Sequence, residues 1–70
     1  MATLKQQIIE LVDREPGLTD RQITDRLKGP GHPPQAVNQA CRQLERGGVL
    51  HRKRRDDGLI GNYPSDKSAE

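Results

Sequence analysis

The chain has very few aromatic or sulfur-bearing side chains: no Phe, no Trp, a single Tyr (Tyr63) and a single Cys (Cys41). Its core must therefore be assembled from Leu, Ile, Val and Ala. At 70 residues that core must also be small, since a domain of this size buries only about 60% of the surface its unfolded chain exposes. A lone cysteine excludes an intramolecular disulfide. With His32 and His51 it falls short of the four ligands of a structural zinc site, so neither metal nor cofactor is expected. No apolar run approaches the roughly 20 residues that span a bilayer, and Met1 to Lys5 is not a basic segment leading into an apolar one. A soluble cytoplasmic protein is expected, nucleoid-associated if the source is prokaryotic. The chain also lacks a Ser/His/Asp set, paired carboxylates on one element and a phosphate-cradling loop, because Gly29-Pro30-Gly31 has proline where a cradle needs N–H groups. With so little material to enclose a substrate, no enzymatic activity is expected.

What is present is positive charge, unevenly placed. Up to residue 30 the cations Lys5, Arg14, Arg21, Arg26 and Lys28 are matched by Glu10, Asp13, Glu15, Asp20 and Asp25. Residues 31–55 carry Arg42, Arg46, Arg52, Lys53, Arg54 and Arg55 against Glu45 alone, and the remainder carries Lys67 against Asp56, Asp57, Asp66 and Glu70. The overall charge of +2 thus hides one strongly basic block, which is what a polyanion-binding surface requires.

The pattern predicts three helices and a hairpin. Thr3 with Gln6 forms a capping box, and Leu4, Ile8, Leu11 and Val12 make one helical stripe, with Ile9 at its edge, up to Glu15-Pro16-Gly17. Thr19 with Gln22 forms a second capping box with Leu18 and Ile23 as a hydrophobic staple, opening a short helix over about residues 20–28 in which Ile23 and Leu27 face inward. Gly29-Pro30-Gly31 stops it. A third helix over 33–46 starts at Pro33-Pro34, buries Val37, Ala40, Cys41 and Leu44, and closes at Gly47-Gly48. The period then turns extended through Val49 to Arg55 and again through Leu59 to Pro64. Asp57-Gly58 between them predicts a tight two-residue hairpin turn, whose central positions both need positive φ. Residues 1–64 are expected to form the domain and 65–70 a disordered tail.

The outer face of the third helix is chemically specific. With Val37 inward and roughly 100° per residue, Gln35, Asn38, Gln39, Arg42 and Arg46 fall at about 160°, 100°, 200°, 140° and 180°, a continuous face. Asn and Gln suit paired hydrogen bonds to adenine, and Arg suits guanine. In the hairpin, alternation sends two of Arg52, Lys53, Arg54 and Arg55 to each face, so at least two cations point toward a phosphate backbone whichever face is presented. Asp56 and Asp57 oppose such contact at the tip, unless the tip is held away or Asp57 serves only the turn.

This order of elements, with Leu44-Glu45-Arg46-Gly47-Gly48-Val49-Leu50 at the junction of third helix and hairpin, resembles the winged helix-turn-helix family over residues 3–64. The resemblance implies an α+β fold of three helices and a two-stranded wing. It also implies binding to double-stranded DNA, with helix 33–46 in the major groove and the wing, 49–63, on the flanking backbone or minor groove. The DNA-binding residues would be Gln35, Asn38, Gln39, Arg42, Arg46, Arg52, Lys53, Arg54 and Arg55, in a small transcription regulator or DNA-targeting module. The winged helices that bind Z-form nucleic acid are a poorer match, since Pro34 and Arg42 flank Asn38 where that pattern has Lys and Tyr. The alternative is a protein-interaction module within a larger complex, for which an exposed apolar anchor on the third helix would be expected. No long extra helix or heptad run supplies a dimer seam, so a monomer or weak homodimer is expected. Cys41 and Tyr63 are expected to serve packing, with Tyr63 joining the wing to the helical core.

Overall fold

A computed structural model of the chain describes residues 2–65. It contains α1 (Leu4–Arg14), α2 (Asp20–Lys28), α3 (Gln35–Arg46), β1 (Leu50–Arg54) and β2 (Ile60–Pro64). Three helices followed by an antiparallel hairpin form an α+β layout consistent with a winged helix. The tail beyond Ser65 lies outside the described residues. Ser65 itself donates its N–H to the Val49 carbonyl at 3.3 Å, extending the pairing at the end of the hairpin away from the turn.

Both capping boxes form. Thr3 Oγ1 accepts from Gln6 N while Gln6 Oε1 accepts from Thr3 N, and Thr19 and Gln22 repeat the exchange, satisfying otherwise orphaned donors at the starts of α1 and α2. Helix α3 has no side-chain cap: Pro34 is its N-cap, and the helix begins at Gln35 rather than Pro33. Ile8, Leu11 and Val12 of α1, Ile23 of α2, and Val37, Ala40, Cys41 and Leu44 of α3 form one core with Leu18 and Leu50. Leu4, Ile9 and Leu27 pack against its margin.

The hairpin register pairs Leu50 with Pro64, Arg52 with Asn62 and Arg54 with Ile60 on one side, and His51 with Tyr63 and Lys53 with Gly61 on the other. Leu50 and Asn62 are buried, so the first side faces the helices. The turn differs from expectation. Gly58 N donates to Arg55 O and Arg55 N to Leu59 O, enclosing a three-residue loop of Asp56, Asp57 and Gly58. Only Gly58, with φ +87°, is left-handed there; no non-glycine residue among those described has positive φ. The reason lies in Asp57, whose Oδ1 accepts from Leu59 N at 3.1 Å and whose Oδ2 accepts from Arg55 Nη2 at 2.8 Å, favouring the longer loop that closes on one left-handed glycine.

An isolated bridge that local pattern did not predict joins the α1–α2 turn to the wing. Leu18, just before α2, bridges Asn62 in antiparallel fashion: Asn62 N donates to Leu18 O at 2.9 Å and Gly17 N to Asn62 O at 2.8 Å. This close approach explains Gly61, where a Cβ would lie 2.9 Å from the Gly17 carbonyl oxygen. Tyr63, on the same side, reaches toward Gly17 and so joins the wing to the α1–α2 turn.

Candidate nucleic-acid interface

The residues expected to meet DNA divide into two groups. Gln35, Gln39, Arg42 and Arg46 are exposed on α3, and none has a side-chain partner among the described residues. Gln39 lies toward the start of α1, in a shallow groove with Leu4, Lys5 and Gln43. Arg42 and Arg46 flank Glu45 in another depression, so the outer face carries one carboxylate that the helical projection left out.

Asn38, Arg52 and Arg55 are engaged internally instead. Asn38 Nδ2 donates to Asp20 Oδ2 at 2.6 Å, Arg52 Nη2 donates to the same oxygen at 2.9 Å, and Asn62 Nδ2 donates to Asp20 Oδ1 at 2.9 Å and to Leu18 O. The side chains of Asp20 and Arg52 are only 12% and 13% exposed. One carboxylate at the first turn of α2 thus ties together α2, α3 and both wing strands. Thr24, also buried, secures the same turn by donating Oγ1 to the Asp20 carbonyl at 2.8 Å. Arg55 folds back, with Nη1 donating to Gly17 O and Gln22 Oε1, each at 3.0 Å, and Nη2 to Asp57. Its stem lies where a side chain at Gly61 would stand. These contacts hold the three residues within the frame, where the expectation had them facing DNA; the nearly buried Asp20–Arg52 pair loses more on separation than a surface pair does, whereas the Arg55–Asp57 pair is 26% and 45% exposed.

The basic run therefore resolves into separate roles. Arg52 and Arg55 clamp the wing at different heights, Lys53 lies over the Tyr63 ring with Nζ 5.3 Å from its centroid, and Arg54 is exposed with no partner among the described residues. By register Arg54 lies on the side of the hairpin that faces the helices, whereas His51 and Lys53 lie on the other. Asp57, whose carboxylate presented an obstacle to phosphate contact, is occupied by the turn; Asp56 is exposed.

Cys41 is fully buried beside this network. Burial, and then the charge and hydrogen bonding of Asp20, push its thiol from 9.0 up to about 12 against the opposing effect of Arg52, which makes it a poor nucleophile. Sequence reasoning missed Asp20 because it is one of five acids balancing five bases in the first part of the chain. Asn62 carried an available signal: Asn is disfavoured in strands, and one set between Gly61 and Tyr63 in an extended run implies a dedicated partner.

No protein-family model, no curated protein and no solved structure matches the chain. Among the described residues, no helix is long and apolar enough to cross a membrane.

Proposed function

We propose that this chain binds double-stranded DNA as a winged helix-turn-helix, with α3 in the major groove and the wing against the flanking backbone or minor groove, acting as a small transcription regulator or a DNA-targeting module. The observation that carries this reading is the division on α3 and the wing. Asn38, Arg52 and Arg55 are consumed by the fold, while Gln35, Gln39, Arg42 and Arg46 remain as a ready set of base-reading side chains beside Arg54. Arg54 and, from the wing's other side, Lys53 supply phosphate contacts that give affinity and register rather than sequence discrimination. The apolar anchor expected of a protein-docking α3 is missing from that face: the exposed large hydrophobics among the described residues are Val49, Leu59 and Ile60, none of them on α3.

The direct test is a heteronuclear NMR titration of the labelled domain with a mixed-sequence duplex at two salt concentrations. Shifts at Gln35, Gln39, Arg42, Arg46, Lys53 and Arg54 that weaken as salt rises are expected. An unperturbed spectrum at low salt would refute DNA binding.

A further inference from the structure

Leu59 and Ile60, 54% and 41% exposed, stand side by side where the wing turn re-enters β2. The turn does not require them, since its chemistry is supplied by Asp57 and Gly58. Ile60 is the cross-strand partner of Arg54 and so shares the side of the hairpin that faces the helices. Together with Thr19, Asp20, Arg21 and Arg52 the two aliphatics line a shallow groove between the wing and the start of α2. The Asp20 carboxylate in that groove is already taken by its three donors, while Arg21 in the groove wall and Arg54, across the hairpin from Ile60, are exposed and have no partners among the described residues. An apolar pair with cations around it complements a ligand that is anionic outside and apolar within, and the stacked bases of a duplex between two phosphate rails have that character.

We infer that Leu59 and Ile60 form an apolar wedge that the wing seats in the minor groove, partly unstacking a base step and bending the duplex. Aliphatic wedges of this kind kink DNA by about 20–90° toward the major groove. Bending brings the flanking phosphates toward Arg21 and Arg54, offsetting the lost stacking. Asp56 lies in the loop itself, so the wedge enters from the Leu59–Ile60 side of the wing rather than loop first.

The inference rests on the duplex binding proposed above, and the experiment separates the two. A short duplex end-labelled with a fluorescence donor and acceptor is titrated at low salt with the wild-type domain and with a Leu59→Ala/Ile60→Thr variant, the latter change keeping a β-branched residue in the strand. Sedimentation velocity is run on both proteins without DNA. The expected result is higher energy transfer with the wild type, loss of that increase in the variant, and variant affinity within about tenfold of wild type because the unstacking penalty disappears too. Should the double variant lose its helical circular dichroism, Leu59→Ala alone, at the more exposed position, provides the comparison. Wild-type binding without a change in transfer, or an unchanged bend in the variant, would overturn the wedge and leave duplex binding intact. No wild-type binding at all would overturn both. A wild-type dimer in sedimentation that the variant lacks would make the pair a self-association surface and also overturn the wedge.

Discussion

Replacing Asp20 by Ala removes the one carboxylate shared by Asn38, Arg52 and Asn62, and the structure allows the loss to be sized. Hydrogen bonds to charged groups contribute about 1.5–3 kcal/mol each, and stripping one partner from a buried ion pair destabilises by about 3–5 kcal/mol. Three donors share one acceptor group, so the separate losses do not sum, and the expected effect of Asp20→Ala is about 3–5 kcal/mol. At about 0.05–0.15 kcal/mol per residue the whole domain is worth only about 4–10 kcal/mol, so this one side chain accounts for roughly half of it. The midpoint of thermal unfolding, followed by far-ultraviolet circular dichroism, should fall by roughly 12–40 °C at 4–8 °C per kcal/mol. Most of the damage comes from the guanidinium left behind, whose Nε is already buried without a hydrogen-bond partner. Adding Arg52→Met to Asp20→Ala should therefore restore a substantial part of the lost stability, an apolar chain being less costly there than an orphaned cation. A loss below about 1 kcal/mol for Asp20→Ala, or no recovery in the double variant, would show that the ion pair does not hold the wing to the helices.

Other consequences follow from the same geometry. Gly61→Ala should destabilise by about 1–3 kcal/mol in urea denaturation, since its Cβ would meet the Gly17 carbonyl at 2.9 Å and the Arg55 stem at 3.0 Å. The Cys41 thiol titrates near 9.0 when unfolded and at about 12 when folded, so the contribution it makes to stability is whole below pH 9 and is lost as pH rises toward 12; the alkaline fall in stability should be shallower in Cys41→Ala. Arg42→Ala should weaken binding to a preferred duplex by about 1–3 kcal/mol and relax selection at one base pair, and unchanged selection from a random duplex pool would remove Arg42 from the reading face. Arg54→Ala should reduce the salt dependence of duplex affinity by about one unit of log–log slope, whereas Arg55→Ala should lower thermal stability instead; equal slopes for Arg54→Ala and wild type would take the wing off the phosphates.

Much of this molecule is legible in local sequence, because local sequence is where its causes lie. The capping pairs Thr3/Gln6 and Thr19/Gln22 act across three residues, the buried stripes of α1 and α3 follow from helical period, and the extended runs around Asp57-Gly58 produce the hairpin. The length of the turn was less legible, since it depends on the Asp57 side chain bonding Leu59 N rather than on the Asp-Gly pair alone. The candidate interface was legible only in part. Sequence determined that a basic block exists and that Arg52 to Arg55 alternate between two faces. Which of those cations remain outward was decided by tertiary structure: Asp20 reaches Arg52 across 32 positions of chain, and Arg55 meets the Gly17 carbonyl across 38. Periodicity assigns a side chain to a face, but whether a charge on that face meets solvent or a carboxylate depends on where a distant segment has folded.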